Sequence, residues 1–205
     1  MNYFDVYGSH ELSAIRHFIE KNDWLKSIIV DVVKDSTPLH DAILVLKNGT
    51  RLTVEIKEDE KYWFLRTGNI GLDYISSFSF NTIRDKYRFR SLWVDPSDFN
   101  DFINCINVRK YGKLITCDAD LQFYFVINDT KDNFIFAKLY NNSLLQNKKF
   151  VDYLNRNYRL RINDKGRYGL NDSWESAAYF VNPLKDGELK SCEINNLSAL
   201  DKITN

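Results

Sequence analysis

Residues 40–57 constrain this chain more than any other stretch. His40-Asp41-Ala42-Ile43-Leu44-Val45-Leu46-Lys47 and Arg51-Leu52-Thr53-Val54-Glu55-Ile56-Lys57 are β-prone runs flanking Asn48-Gly49-Thr50. A turn-forming Asn-Gly between two such runs predicts a hairpin. Side chains alternate along a strand, so Arg51, Thr53, Glu55 and Lys57 share one face while Leu52, Val54 and Ile56 share the other. The loop decides where Asp41 points. A strict two-residue turn sets Asp41 opposite Ile56, away from Glu55. A three-residue loop through Thr50, or one bulge, returns it to the side of Glu55 and Lys57.

Two carboxylates and a lysine on one face make a set that can hold a divalent cation beside a phosphate. Mg²⁺ prefers oxygen ligands, and a cation so held activates water and stabilises charge during phosphodiester hydrolysis. Asp41 and Glu55 are the expected ligands, with Mn²⁺ able to substitute for Mg²⁺. Lys57 is placed to orient the attacking water or to neutralise the phosphate. An exposed ion pair on a strand face accounts for Glu55 and Lys57 without any metal, and the residues alone leave that alternative open.

An acid, a variable gap, then acid-x-lysine on the next strand resembles the signature of the PD-(D/E)XK nuclease superfamily, matched at Asp41, Glu55 and Lys57. The sequence departs from it before the first acid, where His40 stands and Pro38 is displaced by two. Family members often carry a glutamate on a helix ahead of the sheet, a place that Glu11 matches. Arg66-Thr67-Gly68-Asn69-Ile70-Gly71-Leu72-Asp73-Tyr74 looks like the segment that follows the lysine in some phage and restriction-type members. The resemblance covers roughly residues 9 to 76. It implies an α/β fold with a restriction-endonuclease-like core, a central mixed β-sheet flanked by helices in the order helix, three strands, helix, strands. It implies a Mg²⁺-dependent deoxyribonuclease, restriction-like or phage-related. Asp41, Glu55, Lys57 and Glu11 are then catalytic, and Asp41, Glu55 and Glu11 hold the metal. DNA is the implied partner, and restriction-type members commonly act as homodimers. The rival readings are a structure-specific nuclease such as a junction resolvase, and a catalytically silent DNA-binding or defence protein of the same fold.

Lys and Arg balance Asp and Glu at 28 each, so a nucleic-acid surface must come from local clusters. Arg84, Lys86, Arg88 and Arg90, interleaved with aromatics, form one candidate; Arg109, Lys110 and Lys113, and Lys148 to Arg161, form others. His40, Thr67, Asn69, Arg88 and Arg90 are the expected nucleic-acid contacts, Gly68 letting the backbone approach a phosphate. A plain β-turn explains Thr67-Gly68-Asn69 equally well. Cys105, Cys117 and Cys192 are odd in number and widely spaced, which disfavours disulfides and structural zinc and fits a reducing cytoplasm. No apolar run reaches membrane-spanning length, and the amino terminus lacks a signal core.

A chain of 205 residues, 44% hydrophobic, suffices for one well-buried domain, and a single domain over 1–205 is expected. Ser9 predicts a helix cap, with Leu12, Ile15 and Ile19 on the inward stripe to about Asn22. Residues 27–33 read as a buried strand, and Tyr62–Leu65 and Ile70–Ile75 as extended. Asp95-Pro96 opens a helix with Phe99, Phe102, Ile103 and Ile106 inward and Gly112 beyond its end. Leu121–Ile127 and Phe134–Leu139 form a second hairpin around the polar turn 128–133. Ser143 caps a helix to about Asn155, and Tyr158–Ile162 is a strand. Trp174–Val181 fits strand or helix, and 185–205 is expected to be irregular.

Overall fold

The computed structural model describes residues 3–37, 39–128, 133–164 and 175–204. In chain order the elements are α1 (Tyr3–Glu20), α2 (Asp23–Ile28), β1 (Ile29–Lys34), β2 (Ala42–Leu46), β3 (Arg51–Glu58), α3 (Lys61–Thr67), β4 (Ile70–Phe80) and α4 (Ile83–Arg88). Next come β5 (Trp93–Val94), a 3-10 turn at Pro96–Asp98, α5 (Phe99–Asn104), β6 (Ile106–Tyr111), α6 (Lys113–Thr116), β7 (Leu121–Ile127) and β8 (Phe134–Asn141). The chain ends with α7 (Asn142–Leu145), α8 (Lys148–Asn157), β9 (Leu160–Asp164), β10 (Glu175–Val181), α9 (Gly187–Ser191) and α10 (Leu197–Thr204). The fold is mixed α/β, with two five-stranded sheets among the described residues. The chain divides into two compact units: Met1–Thr67 with Asp118–Leu144 and Gly187–Asn205, and Gly68–Cys117 with Leu145–Asp186.

The first unit holds the sheet β1-β2-β3-β7-β8. It is mixed because β3 runs parallel to β7 while the other neighbours are antiparallel. Leu52, Val54 and Ile56 of β3 and Leu121, Phe123 and Phe125 of β7 point into one core with Ala14, Ile15 and Ile19 of α1, as the alternation requires. On the opposite face Phe64 of α3 packs against Phe136 of β8, ring centroids 5.2 Å apart. The second unit holds the antiparallel sheet β5-β9-β10-β4-β6, with Phe78, Phe89 and Phe102 packed edge-to-face beside it.

Several sequence expectations are corrected. The first helix begins at Tyr3, so Ser9 lies within it rather than capping it. Residues Asp23–Ile28 are helical, and the first strand is an edge strand that buries only Ile29 and Val32. Tyr62–Leu65 belongs to α3: only Phe64 is buried while Tyr62 and Leu65 face solvent, a one-sided burial that suits a helix turn. The helix after Asp95-Pro96 stops at Asn104, and Ile106 starts β6 instead. Ser143 sits in the short α7, and the cap of α8 is Asn147, which accepts the Lys149 amide. The tail expected to be irregular holds α9 (Gly187–Ser191) and α10 (Leu197–Thr204), and Leu189, Cys192, Ile194 and Leu200 are buried. Glu175–Val181 is a strand between β9 and β4. Pro38, Trp174 and the middle of the 128–133 turn lie outside the described residues. No described helix is long and apolar enough to cross a membrane.

Candidate functional site

The β2–β3 loop sets the geometry. Leu46 N–H donates to Thr50 O (2.9 Å) and Gly49 N–H to Leu46 O (2.9 Å), leaving Lys47-Asn48-Gly49 as a three-residue loop. Gly49 closes it at φ +84°, in the left-handed region that glycine enters without strain. The loop has three residues, but Thr50 pairs with Leu46 instead of lying in it. Ala42 therefore faces Val54, and Asp41, one residue earlier, comes alongside Glu55. Asp41 N–H donates to Val54 O (3.1 Å), and Asp41 Oδ2 accepts the Ile56 amide at 2.7 Å. The carboxylate thus replaces the ladder partner that β2, which starts at Ala42, does not supply.

Glu55 is 4% exposed, and Lys57 Nζ stands 2.6 Å from its Oε1. Because β3 and β7 run in parallel register, Gln122 lies beside Glu55 and Tyr124 beside Lys57. Tyr124 Oη donates to Gln122 Oε1 (3.0 Å), and Gln122 Nε2 donates to Asn142 Oδ1 (2.5 Å). Thr53 N–H and Oγ1 both donate to Asp120 Oδ2 (2.8 and 2.9 Å), pinning the start of β7 to β3. Sequence reasoning missed this floor. Its signal was Gln122, an amide inside the otherwise apolar and aromatic run Leu121–Ile127.

Glu11 joins the group from α1. Because α1 begins at Tyr3, Glu11 is in the helix interior, where the dipole of a first turn does not explain it. Burial raises its carboxyl from the ordinary 4.5 to about 7; Asp41 adds to the rise, Lys57 opposes it, and Glu55 and Glu58 contribute smaller increases. Those neighbours place Glu11 in the electrostatic field of Asp41, Glu55 and Lys57. Glu11, Lys57, Glu58, Asp59 and Glu60 line one cleft of about 530 Å³.

The remaining candidates separate. His40 lies in the first unit beside Asp41, with Nδ1 3.0 Å from Asp35 Oδ2 and Nε2 3.1 Å from Asp118 Oδ1. The Thr37 amide, followed by His40, holds the Asp35 carboxyl below its ordinary value. His40 therefore ties the loop before β2 to the segment before β7. Thr67 donates its hydroxyl to Trp63 O (2.9 Å) at the end of α3. Asn69, Arg88 and Arg90 belong to the second unit. Gly68, at φ +70°, turns its bare face to the Asn182 side chain, which a Cβ would meet at 2.7 Å. Arg88 pairs with Asp101.

Carboxylate oxygens on three elements suit a hard divalent cation in charge and donor type. As they stand, Glu55 is turned to Lys57 and Asp41 to the Ile56 amide. Among the described residues no three Asp, Glu, His or Cys side chains already converge as a metal site. Comparison with protein-family models, with curated proteins and with solved structures finds no match.

Proposed function

We propose that this chain is a Mg²⁺-dependent nuclease that hydrolyses DNA phosphodiester bonds, with a restriction-endonuclease-like core in its first unit. The observation that carries the reading is the proximity of Glu11, Asp41, Glu55 and Lys57, from a helix, a hairpin entry and a strand, with Glu11 and Lys57 lining an acidic cleft. Within the first unit the order α1, α2, three antiparallel strands, α3, then β7 parallel to β3 gives further support.

Bound Mg²⁺ would supply an activated water and charge stabilisation at the leaving oxygen. Asp41 and Glu55 are the residues to hold it, with Glu11 as an outer ligand. Glu55 would hold the cation in place of its contact with Lys57, whose ammonium would then orient the water or the phosphate. Glu11, titrating at about 7, holds a proton in slightly acidic solution and thereby limits repulsion with Asp41 and Glu55. The Ile56 amide on Asp41 holds β3 to the entry of β2, and the Thr53–Asp120 contact holds β3 to the start of β7. Incubating the purified protein with supercoiled plasmid tests the reading: nicked or linear product is expected with Mg²⁺ and none with chelator.

A further inference from the structure

The second unit contains a cavity of about 560 Å³ that the chemistry above does not use. Its wall includes the cations Lys86 and Arg90 against one carboxylate, Glu175. Arg161 also borders it, but its guanidinium stacks on Trp93 and Phe180, 5.7 and 5.6 Å from the ring centroids, on the face of β9 opposite Ile162. Glu175 is 4% exposed, and Lys86 Nζ is 2.7 Å from its Oε1. A half-exposed lysine repays little of the cost of burying a carboxylate, and an apolar side chain would fill the place more cheaply. Such a group suits a ligand that offers N–H donors. Tyr87 and Leu92 also line the cavity and remain exposed. Leu92 has φ +61°, a backbone region that a bulky residue seldom enters and that collects at ligand sites. Its carbonyl accepts the Ile162 amide at 2.8 Å, which holds the conformation.

We propose that this cavity takes one unpaired nucleotide of a nucleic-acid strand. The base stacks on Tyr87 and offers its N–H groups to Glu175, and Arg90 meets a phosphate. The volume lies in the range of about 300–1,000 Å³ usual for small-ligand pockets. An ionised carboxylate only accepts hydrogen bonds, so guanine, with adjacent N1–H and N2–H donors, binds better than thymine, which has one. The proposal rests on the nucleic-acid reading above but uses other residues and no metal.

The test is fluorescence anisotropy of the full chain in chelator. The probes are a labelled twelve-nucleotide oligothymidylate, the same strand with one central guanine, and the blunt duplex of the latter. The guanine strand is expected to bind at least threefold tighter than oligothymidylate, and the duplex most weakly. Tyr87→Ala should weaken binding by about fivefold or more. Arg90→Ala should reduce the salt dependence of log K by about 0.7, one phosphate no longer being neutralised. Glu175→Gln should keep binding and lose the guanine preference. Leu92→Gly suits the left-handed backbone, so it should keep or raise Tm while weakening binding. Equal affinity of wild type and these variants, tighter binding of the duplex, or no binding of any strand overturns the proposal. Variant-sensitive binding by a protein that never cleaves DNA upholds this site and removes the nuclease reading; cleavage with variant-insensitive binding does the reverse.

Discussion

Replacing Glu11 with Gln probes the cleft without substrate. The Glu11 carboxyl titrates at about 7 in the folded chain against an ordinary 4.5, chiefly through burial and then through Asp41. The unfolded chain releases this proton near pH 4.5, whereas the folded chain keeps it to about pH 7. Between those values the unfolded state binds fewer protons, so stability falls as pH rises, and the deficit is complete above the folded value. The interval from 4.5 to 7, at about 1.4 kcal/mol for each pH unit, sets a ceiling of about 3.5 kcal/mol. The carboxyl faces a cleft open to water, and screening lowers this to about 1 kcal/mol. Glu11→Gln keeps the shape and lacks the titration. Urea unfolding should find it level with wild type near pH 4.5 and about 1 kcal/mol more stable at pH 8. Mg²⁺ at pH 8 should narrow the gap by relieving more repulsion in the wild type, which has the third carboxylate, than in the variant. A stability difference that is the same at pH 5 and pH 8 would refute the reasoning.

Lys57→Met removes the ammonium 2.6 Å from the buried Glu55 and should cost about 1–3 kcal/mol in denaturant unfolding; Mg²⁺ should restore most of it, and turnover should stay lost while calorimetric metal affinity is kept. In the second unit, a Cβ on Gly112 would lie 2.1 Å from the Asp73 carbonyl oxygen, so Gly112→Ala should cost about 3 kcal/mol, and a change below 1 kcal/mol would contradict that packing. Gly49→Ala meets open space and only the left-handed backbone opposes it, so about 1 kcal/mol is expected in the same assay.

The hairpin could be read from the sequence because turn chemistry and alternation agree there: Gly49 closes the loop, and Leu52, Val54 and Ile56 fill the core while Thr53, Glu55 and Lys57 take the other face. The loop register was one residue off, since Asn-Gly is compatible with a two-residue turn and with the end of a three-residue loop. The β7 and β8 strands were evident from unbroken apolar and aromatic content. Tyr62–Leu65 was misread because a run of four apolar residues carries no period, and burial of Phe64 alone decides for helix. The late helices escaped notice because Leu189, Ile194 and Leu200 are sparse among polar neighbours and are buried by tertiary contact. Glu55 and Lys57 could be placed on one face from strand geometry, whereas the side of Asp41 depended on the loop. Glu11 required a long-range packing of α1 on the sheet, and Gln122 required the parallel pairing of β3 with β7, neither of which local pattern encodes.

Cleavage of supercoiled plasmid by wild type, Asp41→Asn and Glu55→Gln in parallel, with Mg²⁺ and with chelator, tests the central claim most directly. Both substitutions keep side-chain size, so circular dichroism should find the fold retained. Wild type should cut only with Mg²⁺, and each variant should be slower by about a hundredfold or more through loss of a metal ligand. Cutting by either variant at the wild-type rate, or cutting that chelator leaves unchanged, would contradict the assignment of Asp41 and Glu55 as the metal-binding pair.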